Sequence, residues 1–167
     1  FLSAGLVRAR GWQKFRRGVD PAPSIETDLI IREIGPEYAG HFGTIAADAF
    51  DIGQAAAPWL GMLVGRPGWH IFMSFDGNTA AGVGAVFIRQ GIAWMDFGAT
   101  SPEFRCRGSQ GALLARRIEY ALVNGCRQIF TCTGEDIAGD PQHSYKNILR
   151  MGFSKDYLRE NYAPVNR

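Results

Sequence analysis

The stretch "FRCRGSQGALLARRI", residues 104–118, decides how this 167-residue chain reads. It places Arg105, Arg107, Gly108 and Gly111 directly in front of a strongly helical run. A helix opens with N–H groups that have no partner inside the helix, and such groups attract anions. Glycine keeps β-carbons out of an approaching anion's way. The helix dipole offers about 0.3–1 kcal/mol, against about 1.5–3 kcal/mol for each hydrogen bond to a charged partner. Convergent amides and arginine therefore outweigh the dipole. Helix starts ordinarily favour acids, so two arginines here suit a phosphate. The bland alternative is that Gly108 and Gly111 serve helix packing and the arginines are merely solvated.

Outward from the loop the pattern is mixed. Upstream, "WHIFMSF" (69–75), "AAGVGAVFI" (80–88) and "IAWMDFGAT" (92–100) read as strands joined by tight turns, an antiparallel meander. Before them come a strand at 25–34, a helix at 37–49 and a short helix at 55–64. Downstream, the helix opened by the loop carries Leu114, Ile118, Ala121 and Leu122 on one face and Arg116, Arg117 and Glu119 on the other. Asn124-Gly125 ends it. "RQIFTCT" (127–133) is a strand, "SYKNILRM" (144–151) a short helix ended by Gly152, and "SKDYLREN" (154–161) a last strand. The layout is α/β (α+β) in one domain.

The net charge is +2, so the whole-molecule field points to neither a nucleic-acid coat nor a membrane sheet. No run approaches the roughly 20 apolar residues that cross a bilayer. Three cysteines, Cys106, Cys126 and Cys132, match no zinc spacing, so packed thiols in a reducing, cytoplasmic setting are expected, and no metal. Residues 1–18 hold Arg8, Arg10, Lys14, Arg16 and Arg17 and no acid. They read as a basic arm, a transit-like segment or the tail of an upstream region, since the sequence opens on Phe1. "DPAPS" (20–24) breaks the chain after them. The expected division is an arm at 1–23, a domain at 24–163 and a tail at 164–167. An arm that binds nucleic acid is a weaker third reading, and its affinity would fall steeply with salt.

The loop is neither G-x-x-x-x-G-K-[ST] nor G-x-G-x-x-G. It resembles the acetyl-CoA loop of GNAT-type N-acetyltransferases, [R/Q]-x-x-G-x-[G/A], matched by Arg105 to Ser109, with Gln110 where the family has a small residue. "GATSPEFR" (98–105) is similar to that family's lead-in, and "SYKNILRMGF" (144–153) to its second helix with the closing Gly-Phe. The likeness covers residues 25–162. It implies a mostly antiparallel sheet of about six strands flanked by about four helices. It also implies acetyl-CoA as co-substrate, with main-chain groups of Ala99 and Thr100 along the pantetheine. The loop from Arg105 and the amides of Arg107, Gly108, Ser109, Gln110, Gly111 and Ala112 would hold the pyrophosphate. Ser144 and Asn147 would face the pantetheine arm or act as local caps. A second copy of the fold upstream, or a homodimer, would fit as partner.

Acetyl transfer to an amine needs the amine uncharged. At neutral pH an amine of pKa about 10.4 is neutral in about one molecule in 2,500, a penalty of about 4.6 kcal/mol. A base is therefore expected. The candidates are Glu135, Asp96 and His143; alternatively Glu135 caps a turn, Asp96 pairs with an arginine and His143 is surface. The resemblance puts an acidic tyrosine where Ile148 stands, and Tyr145 is the nearest substitute. The acceptor, a small-molecule or protein amine, would meet residues 35–67 and the "EDIAGDPQH" loop. Trp59, Trp69 and Trp94 would form an apolar wall there or belong to the core. A module of this fold that binds CoA or acyl-CoA without catalysis is the alternative function.

Overall fold

A computed structural model describes residues 5–140 and 142–164. Along the chain run β1 (Leu6–Arg17), β2 (Ile30–Glu33), α1 (Ala39–Ala49), α2 (Ala57–Gly61), β3 (Trp69–Asp76), β4 (Thr79–Arg89) and β5 (Ile92–Thr100). They continue with α3 (Ser109–Val123), β6 (Gln128–Gly134), α4 (His143–Arg150) and β7 (Ser154–Pro164). The strands form one seven-stranded sheet, ordered β2-β3-β4-β5-β6-β1-β7. Every neighbouring pair is antiparallel except β5 with β6. The meander is as read: Gln90 (φ 52°) and Gly91 (φ 74°) both turn left-handed in a two-residue hairpin between Arg89 and Ile92.

Strand alternation sends side chains to two cores. On one face Phe72, Val86, Met95, Ile129 and Phe15 meet Leu113 and Ile118 of α3 and Ile148 of α4. On the other, Ile71, Met73, Phe75 and Val83 meet Phe42 of α1 and Leu60 of α2. The two helices of this second layer touch closely: a β-carbon on Gly43 would lie 2.0 Å from the Ala57 carbonyl oxygen. Backbone cannot rotate away as a side chain would. Overpacking costs about 1–3 kcal/mol, more than the roughly 1 kcal/mol that alanine gains over glycine in a helix. Gly43→Ala is expected to lower Tm, by about 2–4 °C for each net kcal/mol lost, measured by thermal circular dichroism.

The basic arm expected at 1–23 is instead, over residues 6–17, a strand inside the sheet. β1 lies between β6 and β7, with Lys14 opposite Cys132 and Trp12 opposite Arg159. Its arginines find carboxylates on the flanking segments: Arg8 with Glu135, Arg10 with Asp140, Arg16 with Asp156. Arg17 is buried and donates to the Asp20 and Pro21 carbonyls at 2.8 and 3.0 Å. A sheet strand with three of its five basic residues in ion pairs is not a free arm, which counts against the nucleic-acid reading. Pro164 ends β7, and the rest of the tail expected at 164–167 lies outside the described residues, as do residues 1–4.

Residues 18–29 must travel from the inside of the sheet to its far edge. They form a strap on the α3 and α4 side, with Ala22 and Ile25 packed on that core. The strand read at 25–34 shortens to Ile30–Glu33 because Thr27 and Asp28 are turned to other tasks. Thr27 Oγ1 donates to the Arg107 carbonyl at 2.7 Å, and Asp28 accepts from the Arg107 guanidinium.

Candidate active site

The loop before α3 alternates in hand: Cys106 (φ 62°) and Gly108 (φ 79°) are both left-handed and flank Arg107. Such alternation turns successive N–H groups toward a common side. The helical ladder first closes at Ala112, whose N–H donates to the Gly108 carbonyl at 3.0 Å. The N–H groups of Ser109, Gln110 and Gly111 thus precede the ladder, whereas the Ala112 amide, expected to bind phosphate, is already engaged. The glycines have a packing task. A β-carbon on Gly108 would lie 2.4 Å from the Glu26 carbonyl oxygen, and one on Gly111 would lie 3.2 Å from Ile25. They let the strap pass.

The side chains of the loop are placed unequally. Arg105 is exposed. Arg107 is clamped between Asp28 and Asp76, the latter at 2.8 Å, which raises its own pKa and holds both carboxyls below the usual range. A depressed carboxyl pKa stabilises the fold fully above the ordinary value of about 3.9 and is lost as pH falls through the depressed values. Arg107→Gln is therefore expected to unfold at lower temperature than the parent near pH 7, with the gap closing as pH falls below that range. A pH series of thermal melts checks this.

Ser109 is buried, and its hydroxyl bonds Ser74 at 2.8 Å and Thr100 at 3.2 Å, tying the helix start to β3 and β5. Gln110 reaches α4 instead: its amide donates to Ser144 at 3.3 Å and its oxygen accepts from Asn147. Ser144 and Asn147, expected on the pantetheine side, thus stand together with Gln110, expected at the pyrophosphate, between the two helices.

Beyond this cluster the sheet opens. β5 and β6 pair at Ile92–Gln128, Ala93–Ile129 and Trp94–Phe130 and then part, although β5 runs on to Thr100 and β6 to Gly134. Thr131 Oγ1 donates to the Met95 carbonyl at 3.1 Å at the fork. Ala99 and Thr100 pair with Val83 and Gly82 of β4, and their other edge has no β6 partner. A cavity of about 520 Å³ occupies the gap, with Gln110, Ser144 and Asn147 on one side and Trp94, Phe50 and Ile52 on the other.

Asp96 lines this cavity. Its oxygens accept from the Trp94 indole N–H at 3.0 Å and the Phe97 N–H at 2.9 Å. A bulge produces this: Val83 pairs with Ala99 but Ala85 with Asp96, and Phe97 takes φ 47°. The guanidinium of Arg117, expected on the solvent face of its helix, is buried beneath the bulge. It donates to the Ala85 carbonyl at 2.9 Å, the Asp96 carbonyl at 3.0 Å and the Leu113 carbonyl at 3.0 Å. Burial pushes its pKa down to about 10, so it remains charged at neutral pH.

The other candidate acids and bases lie elsewhere. Glu135 accepts from Arg8 at 2.9 Å on both oxygens and from the Gly11 N–H at 3.1 Å, which holds its carboxyl low and clamps β1 to the end of β6. It is not among the cavity residues. Tyr145 is buried edge-on to Phe15, ring centroids 5.1 Å apart, with Lys155 Nζ 5.2 Å from its own ring. It too is away from the cavity, and Ile148 lines the wall in its place. His143 is exposed at the start of α4. Trp59 is 67% exposed and away from the cavity, whereas Trp94 lines it. The sequence reading missed Trp12, Lys14 and Arg159, which reach the cavity only because β1 and β7 are adjacent strands.

Among the described residues no helix is long and apolar enough to cross a membrane, and no group of three His, Cys, Asp or Glu is placed to hold a metal ion.

An antiparallel meander, a parallel fork and a helix start at that fork define a GNAT fold, and solved structures share it. A GCN5-related N-acetyltransferase from Sphaerobacter thermophilus superposes with a TM-score of 0.76 at 16% identity, over 96% of this chain and 54% of its own. One from Kribbella flavida gives 0.70 at 12% identity, over 99% and 62%. An aminoglycoside N-acetyltransferase in complex with CoA gives 0.60 at 17% identity, over 77% and 90%. The chain thus spans 54% and 62% of the first two structures. No family model and no curated protein matches the sequence.

Proposed function

We propose that this chain is an acetyl-CoA-dependent N-acetyltransferase acting by direct transfer to a primary amine of a small molecule or protein. The observation that carries this is the parting of β5 and β6 after Trp94–Phe130, with a cavity running through the gap. Bound acetyl-CoA would supply the acetyl group as a thioester. The free edge of β5 past Trp94 suits an extended pantetheine, which would add to it as a strand does. The N–H groups of Ser109, Gln110 and Gly111 suit the pyrophosphate, while Gln110, Ser144 and Asn147 face the arm between the helices. Arg105, exposed and without an ion pair among the described residues, is free to answer phosphate charge; Arg107, held by two carboxylates, positions the loop.

Asp96 is the base. Among the described residues it has the one carboxylate that lines the cavity, fixed on both oxygens by N–H donors and with lone pairs left to take a proton from the incoming amine. A second reading, a CoA-binding module without catalysis, draws on Ile148 in the wall and on Tyr145 turned toward Phe15.

Titration calorimetry with CoA, then thiol release from acetyl-CoA over an amine panel with product masses, tests both. CoA is expected to bind at sub-millimolar concentration, and Asp96→Asn to lower kcat by about 10²–10⁴-fold without changing CoA affinity. Folded protein giving no heat with CoA would sink both readings. Binding without any acetylated amine would favour the second.

A further inference from the structure

We propose that the acceptor is a small amine whose apolar or aromatic body ends in an anion, a carboxylate or phosphate, received by Lys14 and Arg159. This rests on the acetyl-transfer reading of the same cavity and names the chemistry of its open end.

Sheet alternation separates the two ends. Met95 and Ile129 point into the core under α3 and α4, so Trp94, Asp96 and Cys132 point the opposite way. Lys14 stands across from Cys132 on β1, and Arg159 stands across from Trp12 on β7. Both cations therefore line the end of the cavity remote from Gln110 and Asn147. Both also pull the Cys132 thiol toward its ionised form, against the burial that pushes it up.

These two cations differ from the basic residues around them. Arg8, Arg10 and Arg16 of the same strand each have a carboxylate partner, as does Arg107. Lys14 and Arg159 form no ion pair among the described residues. Lys14 Nζ lies 4.8 Å from the centroid of the Trp94 ring. Arg117, the third cation of the cavity, is committed to main-chain carbonyls. The single acid, Asp96, has both oxygens engaged. Among the described residues Lys14, Arg159 and Arg117 outnumber the one carboxylate of the cavity, and this excess of positive charge beside low-dielectric walls repels a polyamine and attracts an anion. The walls themselves, Trp12, Trp94, Phe50 and Ile52, suit a flat or apolar body.

Matched amines test this on the full chain. 4-(Aminomethyl)benzoate is compared with its amide, O-phosphotyramine with tyramine, and spermidine stands for polycations. At least one anionic amine is expected to exceed its neutral counterpart in kcat/KM by about tenfold or more, as one charge-assisted contact would give. Lys14→Gln and Arg159→Gln should each shrink that ratio. A binding arm needs no turnover: the N-acetylated benzoate and its amide are titrated into CoA-loaded protein and followed by tryptophan fluorescence. Anion preference here, lost in Lys14→Gln, without turnover of any amine would leave the acceptor chemistry standing and remove the transferase reading. Equal or better use of neutral or polycationic amines, a preference unmoved by both substitutions, or no binding of either product would overturn the inference.

Discussion

Truncating Arg117 to alanine is expected to cost about 3–5 kcal/mol of stability. Arg117 is 3% exposed, and its guanidinium meets three carbonyls, two of them at the β4–β5 bulge. Alanine would leave the Ala85 and Asp96 carbonyls buried without this donor, at about 1–3 kcal/mol each, beside a cavity the size of the lost side chain. The charge itself opposes folding, since burial pushes its pKa down to about 10. Arg117→Met separates these contributions: it refills the space and removes the charge but leaves the carbonyls bare. The methionine variant should lie between parent and alanine in urea midpoint. If Arg117→Ala unfolds within about 1 kcal/mol of the parent, hydrogen bonding at the bulge is not what holds it. The site should respond as well, because the bulge aims Asp96 into the cavity.

Gly108→Ala carries the second large effect. A left-handed alanine costs about 1–2 kcal/mol, and its β-carbon would lie 2.4 Å from the Glu26 carbonyl. The strap must then move, taking with it the Thr27 bond to the Arg107 carbonyl. A total loss of about 2–4 kcal/mol follows; on the proposed acetyl-CoA reading it comes with a more than tenfold weaker affinity for CoA in calorimetry, about 1.4 kcal/mol. Gly125→Ala is the control: the same left-handed backbone, φ +76°, with nothing within 4 Å. It should show only the conformational part and leave CoA affinity unchanged. Equal losses at both positions would show that the strap contact does not matter.

Part of the candidate site was legible locally. Gly108, Ser109 and Gln110 stand at a helix start after a strand, whereas Ser144 and Asn147 were named through the family resemblance, and their contact with Gln110 joins segments 34 and 37 residues apart. Arg117 was not legible, because helical spacing cannot distinguish an arginine at the edge of a polar face from one buried under a β-bulge. Glu135 misled for a similar reason: a carboxylate at a strand end looks open until Arg8 arrives from 127 residues away.

What the chain determines by itself is every element whose contacts are close in sequence. The hairpin turns, the meander, the α3 start and its stop at Gly125 follow from backbone preferences and apolar spacing within a few residues. Tertiary structure alone decided that residues 6–17 are a strand, since their basic composition becomes tolerable only when carboxylates of distant segments meet it. The same insertion sent the strap past Gly108 and brought Trp12, Lys14 and Arg159 to the cavity. Long-range pairing depends on which edges are free once the local pieces have formed, and no short window of sequence contains that information.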